Sequence, residues 1–416
     1  MPVISDAKYK EYGKNYAWFI LTNLLAAQLV MSVGAYAWGP LAPFFREGIG
    51  ASRAEIGMIT SALFFTATIT AIPSGILVDK LGAYIMLVIC LTIMGFFFVI
   101  IPLANKIKWI IFFAGLSGFG YGIINQVSAK GVMHWFTARA RATAMGIKQS
   151  GVTIGGALAA FLLPVLTTFC GWKKTVLSVG IVMLLTAFFS SIFYKERPEA
   201  SNLSSSKTGK TKHKISLFRI LADPALSTII LILPFLAFSQ ISISTFLVLY
   251  LKEEQNFSVS IAASCLTAAM TAGALGRVGW GIISDRIFDG NRLIPLFILS
   301  IIGCISVFSF AFLQADAPKY LYFILSALIG FTLIGWNAVL LTVVAEFAGT
   351  QSAGSVMGIV TTTGWLGMVT GPTIFGFIAD LINYFTGWLF VASSSFISAV
   401  GFFYIFMRMK RRLRKV

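Results

Sequence analysis

The sequence predicts an all-α polytopic membrane protein: twelve transmembrane helices in two six-helix, pseudo-symmetric bundles. Three observations predict it. The chain of 416 residues is 57% hydrophobic and only 11% charged, with a mean hydropathy of +0.87, too few charges to cover a soluble domain of this length. Charge clusters divide it into about twelve apolar stretches of bilayer-spanning length. Short patterns then recur half a chain apart.

The predicted spans are 16–44, 55–78, 82–103, 108–133, 142–168, 172–194, 225–251, 257–284, 292–314, 320–345, 354–379 and 385–407. The first is too long for a secretory signal and lacks a small-residue cleavage site, so it counts as a span. Cys90, Cys170, Cys265 and Cys304 fall in separate spans without metal-ligand spacing, which makes them packing residues. Residues 195–224, KERPEASNLSSSKTGKTKHKISLFRILADP, are polar, Ser/Lys-rich and expected to be disordered at their centre. They divide the chain into an N-terminal bundle (1–194), a linker (195–224) and a C-terminal bundle (225–416). The tail RMKRRLRKV is basic and suits an anionic lipid surface.

Lys and Arg fix the expected orientation. With both termini in the cytoplasm, 21 of the 32 lie on the inner side and eight on the outer: Arg46, Arg53, Lys106, Lys108, Lys173, Lys174, Lys252 and Lys319. The net charge of +17 is therefore an orientation signal for a cell inner membrane. It does not point to nucleic acid, because no soluble basic domain carries it. Three cations remain inside the spans: Lys130, Lys148 and Arg277.

The repeat is specific. Gly75-Ile-Leu-Val-Asp79-Lys80-Leu81 returns as Gly281-Ile-Ile-Ser-Asp285-Arg286-Ile287, and Met145-Gly146-Ile147 returns as Met357-Gly358-Ile359. Each pair sits at the corresponding place in its half, which is the mark of parallel repeats related by an axis along the membrane normal. On these residues the chain resembles the major facilitator superfamily over essentially its full length. Gly75, Asp79 and Gly82 match that family's loop motif after the second span, and Gly281, Asp285 and Arg286 its echo in the second half. Ala83 and Tyr84 stand where the family usually has a basic pair. The resemblance implies alternating access, with both motif loops on the cytoplasmic face and their acids holding helix ends or basic neighbours. The run HWFTARARATAMGIKQSGVTIGGALAAFLLP resembles the anion-carrying branches: anion:cation symporters, nitrate and cyanate permeases, and the oxalate/formate and monocarboxylate groups. The second span lacks the arginine of nitrate carriers and the eleventh the lysine of oxalate exchangers. Gly273 stands where the monocarboxylate group has an acid.

Arg277 lies eight residues before Asp285, about 12 Å into the membrane at a rise of about 1.5 Å per residue. A charge at that depth costs from about 2.5 to 17 kcal/mol, so it needs a purpose. Its five donors form a fixed fork suited to a carboxylate. Gly273 and Gly281, one turn to either side, are expected to leave open space on its face. The alternative is a structural arginine bonded to neighbouring carbonyls. Lys148, on a face with Gly151 and Gly155, reads equally as a ligand group or as a cap on the inner gate. Lys130 is four residues from His134 and is long enough to snorkel to the inner surface.

In the resembled family the first, fourth, seventh and tenth spans line the cavity. Tyr36, Trp38, Tyr121, Asn125, Gln126, Gln240, Trp336 and Asn337 are the polar and aromatic residues placed there, as ligand wall or as helix packing. Thr361, Thr362 and Thr363 add hydroxyls in the eleventh span, unless they bond back to their own helix. The fifteen carboxylates are expected near span ends, so a fixed buried acid for proton coupling is not evident. His134 and His213, the two histidines, lie outside the spans, and no nucleophile, base or metal set assembles. The expected protein is not an enzyme and uses no cofactor. It is a monomeric secondary active or facilitative transporter of a small monocarboxylate-like anion, with a proton or a counter-anion as partner. An inorganic-anion carrier and a drug-efflux type are the alternatives.

Overall fold

The computed structural model describes residues 6–136, 138–195, 223–348 and 353–413. Those residues form α1 (Asp6–Ala35), α2 (Trp38–Ile49), α3 (Arg53–Leu81), α4 (Ala83–Ile100), α5 (Ile107–Trp135), α6 (Ala138–Phe193), α7 (Pro224–Glu253), α8 (Val259–Arg286), α9 (Leu293–Ala311), α10 (Lys319–Leu333), α11 (Asn337–Ala348), α12 (Ala353–Leu381) and α13 (Tyr384–Leu413). Ten helical stretches are long and apolar enough to cross a membrane by composition, and one of them, Thr143–Phe193, runs for 51 residues. It turns at Gly171, where φ is 79°, so α6 supplies two crossings. With α12 the count reaches twelve, and the predicted boundaries agree to within a few residues. Most of the 195–224 segment lies outside the described residues.

Local chemistry sets the ends. Ser52 and Glu55 form a reciprocal capping box at the start of α3. Asp223 caps α7 immediately before Pro224, and Ser258 caps α8. Gly82, at φ 88°, makes the sharp corner between α3 and α4 that a side chain would resist.

Two spans are broken at mid-depth. The first stops at Ala35 and resumes at Trp38. Pro40 has no N–H to give the Tyr36 carbonyl, so the helix cannot run through. The tenth stops at Leu333 and resumes at Asn337. There the Gly335 amide reaches back to the Gly330 carbonyl at 3.2 Å, a five-residue turn wider than an α-helix. Neither break shows in the apolar pattern, which continues across both.

Before the linker, α1 packs on α6, α3 on α5, and α4 on both; after it, α7 packs on α12, α8 on α10 and α9 on α13. The two parts meet through α3 with α12, α6 with α8 and α2 with α7. These contacts gather toward one end of the molecule. A Cβ on Gly57 would strike the Pro372 carbonyl, and one on Gly39 the Ser244 carbonyl. Thr373 donates to Ser61 at 2.8 Å. Among the described residues every ion pair joining the two parts lies at this end: Arg46–Glu253 at 2.7 Å, Arg53–Glu253 at 2.9 Å and Lys252–Glu47 at 2.7 Å.

The opposite end is different. Lys130 pairs with Asp79 at 3.3 Å, and Arg292 with Asp285 and with Glu346, each within its own part of the chain. Gly75, Gly146, Gly281 and Gly358, the four repeated glycines, have open space where a Cβ would point. The two parts are bridged by ion pairs at the end carrying Arg46 and Glu253, and among the described residues no ion pair joins them at the end carrying both repeat motifs.

Candidate substrate site between the two broken spans

The break in the tenth span lies directly against α8. A Cβ on Gly276 would collide with the Phe331 carbonyl, and one on Gly335 would lie 2.9 Å from the Gly276 Cα. Trp280, one turn further on, donates its ring N–H to the same carbonyl at 2.9 Å. Backbone-to-backbone contact of this kind needs small residues, and it fixes the turn of α8 that carries Arg277. The expected open space around Gly273 is not found. A Cβ there would meet Ile334 at 2.7 Å, because that face of α8 is committed to the tenth span. Gly281 does look into open space.

Arg277 faces the first span. Its guanidinium lies close enough to the Tyr36 and Tyr121 hydroxyls to interact electrostatically with both. Its Nε is buried and has no hydrogen-bond partner, and no carboxylate among the described residues pairs with it. Tyr36 sits at the first break, and its hydroxyl lies within hydrogen-bond reach of Gln240. The Gln240 side-chain oxygen accepts from Asn337 at 3.1 Å, at the start of α11. A polar chain therefore crosses the centre from one broken span to the other. Trp336 is 4% exposed, and its ring N–H has no partner. Arg277 Nε and the Trp336 ring N–H are thus two buried donors without a partner, on neighbouring spans.

Lys148 is buried on α6. Its ammonium donates to Asn125 Oδ1 and Gln149 Oε1, both at 3.1 Å, and it has no acidic partner among the described residues. Asn125 lies one turn from Tyr121 on α5. The structure thus gathers Arg277, Tyr36, Tyr121, Gln240, Trp336 and Asn337, while Lys148 and Asn125 form a bonded pair of their own one turn along α5.

The remaining candidates are engaged elsewhere. Gln126 donates to the Ala71 carbonyl at 3.0 Å and braces α5 on α3. Lys130 donates to the Val78 carbonyl at 2.7 Å beside its Asp79 pair, so it clamps the end of α3. Thr362 bonds back to Gly358 at 2.8 Å, as α-helical threonines do when nothing better is offered. Trp38 packs on Phe45 and Phe98. In the motif loops Asp79 and Asp285 do hold basic groups, while Arg286 is exposed at the last residue of α8.

Two features escaped the sequence reading. Gln28 and Ser32 lie one turn apart in an apolar span, with Gln28 Nε2 at 3.4 Å from Ser32 Oγ and Ser32 within reach of the Tyr121 hydroxyl. Their spacing was the available signal. Glu253 is a hub for Arg46, Arg53 and Tyr384, the last donating at 2.8 Å. The signal there was an acid ending one span with two arginines at the matching ends of others.

Residues 24–372 match the Major Facilitator Superfamily. The chain is similar to an uncharacterized MFS-type transporter of Mycobacterium tuberculosis, 25% identical over 379 residues, covering 90% of this chain and 82% of the relative. It is also similar to a probable sulfoacetate transporter of Cupriavidus necator, 26% identical over 355 residues and covering 82% of each. In fold it is similar to the crystal structure of a bacterial homolog of the human lysosomal transporter Spinster in an inward-facing, occupied conformation. The TM-score there is 0.76 at 16% identity, over 96% of this chain and 98% of that one. With the helix order, the twelve crossings and the paired motifs already in place, the match over most of its length makes the chain a member of the major facilitator superfamily, an integral membrane transporter and not an enzyme.

Proposed function

We propose that this protein carries a small organic anion across a bacterial-type inner membrane by alternating access, with Arg277 as the anchor for the negative charge. The observation that carries the reading is the arginine itself: deep in a span, its Nε buried and unbonded, facing two tyrosines and, among the described residues, no carboxylate. A permanent cation in that setting is stabilised when an anion occupies its fork. The similarity to a probable sulfoacetate transporter supports the same class. The excess of Lys and Arg on the termini side supports cytoplasmic termini, in which case the end without bridging ion pairs among the described residues faces the cytoplasm, the arrangement of an inward-open state. Bundles of 1–194 and 225–416, joined by the 195–224 linker, would then rock about the central site. Proton or counter-anion coupling would act without a fixed acid beside Arg277 among the described residues.

The test is a thermal-shift screen of the purified protein against mono- and dicarboxylates, sulfonates, nitrate, cyanate, sugars and cationic drugs. A ligand at 100 times its Kd adds about 2.7 kcal/mol to stability. Stabilisation by organic anions alone is expected. Stabilisation by cations or neutral compounds, with none by anions, refutes the reading.

A further inference from the structure

Lysine and arginine on the outer side run against the chain's own orientation signal, so each of them there is expected to have a use. Three of the eight have one: Arg46, Arg53 and Lys252 pair with Glu253 and Glu47 across the two parts. Lys319 lies over the Phe257 ring at 5.9 Å. The other four, Lys106, Lys108, Lys173 and Lys174, are all exposed and come from two places, the connection from α4 to α5 and the bend of α6 at Gly171. Neither stretch carries an acid, and no ion pair among the described residues includes any of the four. The fold nevertheless ties the two stretches together. Lys173 donates to Asn105 Oδ1 at 3.0 Å, and Asn105 is next in sequence to Lys106. Trp172 packs edge-on against Phe45 at 5.1 Å, which places the corner at the end carrying Arg46. Like charges held together without counter-charges repel one another, and an anion on the corner removes that cost.

The same corner has an apolar floor. A groove of about 510 Å³ is lined by Ile100, Leu103, Trp109 and Phe113, with Asn105 and Lys106 also in its wall. Leu103 is 77% exposed and Trp109 48%, and the Trp109 ring stacks on Phe113 at 6.1 Å. An indole of this kind is at home in the headgroup region of a bilayer. Behind the groove α4 packs on α5 and α6, all in the N-terminal part, and Phe96 and Phe112 are exposed on the same two helices. This surface therefore meets lipid. A soluble anion has no use for the apolar groove, whereas a molecule with both a phosphate and a hydrocarbon chain uses groove and lysines together. We propose that the corner binds an anionic phospholipid of the outer leaflet, its phosphate against Lys106 and Lys173 and one acyl chain along Leu103, Trp109 and Phe113. Lys108 and Lys174 add to the positive field around the headgroup. The site is separate from the one around Arg277 and does not depend on it.

The experiment is native mass spectrometry of the full-length protein released from detergent. The probes are phosphatidylglycerol and phosphatidylcholine with identical acyl chains, and glycerol phosphate as a headgroup without chains. Wild-type protein should bind at least one phosphatidylglycerol about ten-fold tighter than phosphatidylcholine, the scale of two lysines beside an anionic surface. Exchanging Lys106→Gln and Lys173→Gln together should abolish that preference. Lys106→Arg with Lys173→Arg, which keeps the charges, should retain it and guards against a folding defect. Lys319→Gln, an outer lysine away from the groove, should leave it unchanged. Equal binding of the two lipids by the wild type overturns the proposal, and so does a full preference for phosphatidylglycerol in the double glutamine variant. Glycerol phosphate should not compete at equal concentration; if it binds as tightly as the lipid, the corner is a soluble-phosphate site and the lipid assignment is wrong.

Discussion

Removing the carboxylate of Glu253 should unlock the closed end of the molecule. That one side chain accepts from Arg46 at 2.7 Å, Arg53 at 2.9 Å and Tyr384 at 2.8 Å, and Arg53 also lies over the Tyr384 ring at 4.3 Å. The arginines come from one part of the chain, the acid and tyrosine from the other, so the cluster exists only while this end is shut. The side chains are between 20% and 33% exposed, which rules out the full value of buried charged hydrogen bonds. About 1 kcal/mol for each arginine pair, between the exposed and buried ranges, gives about 2 kcal/mol. Glu253→Gln should then shift the equilibrium about 30-fold toward opening of this end, raising a 1% population to roughly a quarter. Spin labels at positions 108 and 314, both exposed at this end and one in each part, report it as a longer distance in nanodiscs. A distance distribution identical to the parent's would mean that the helix contacts alone hold the end shut, and that the ion pairs contribute nothing.

Other substitutions separate the site from its scaffold. Gly57→Val places a branched side chain against the Pro372 carbonyl, so it should lengthen the same distance with little change in anion affinity measured by calorimetry. Gln126→Ala removes the bond to Ala71 and should lower stability by about 1 kcal/mol, seen as a lower melting temperature with Kd unchanged. Lys130→Met breaks a pair whose acid is 79% exposed. The pair itself contributes under about 1 kcal/mol, so melting should move little, while a cysteine at position 82 becomes more reactive as the end of α3 loosens.

The spans were legible because charge clusters fall at their ends and the interior is almost free of charge, a constraint the bilayer imposes on composition. The repeat was legible because Gly75-x-x-x-Asp79 and Gly281-x-x-x-Asp285 do the same local job twice. The breaks at 36–37 and 334–336 were not. Tyr36 and Trp336 looked like wall residues within continuous helices, and the broken backbone depends on Pro40 and on the collision of Gly335 with Gly276 across two spans. For the same reason the space around Gly273 could not be foreseen: a helical face says which residues share it, not which neighbour fills it. Arg277 and Lys148 stood out by depth alone. Lys130 and Gln126 shared that signal, but each has a carbonyl within reach that only the packing supplies. Glu253 was hidden because its position at a span end resembles an ordinary solvated acid.

The claim that everything else depends on is that Arg277 holds the substrate's charge. Counterflow of a stabilising anion into liposomes tests it most directly, comparing wild type, Arg277→Gln and Arg277→Lys at matched protein density. Removing a charge-assisted hydrogen bond of about 1.5–3 kcal/mol weakens binding about ten- to a hundred-fold. The account predicts that loss in Arg277→Gln and a partial recovery in Arg277→Lys, whose ammonium cannot reproduce a planar two-point grip. An Arg277→Gln protein that folds and exchanges its anion with wild-type affinity would contradict it and make Arg277 a structural residue.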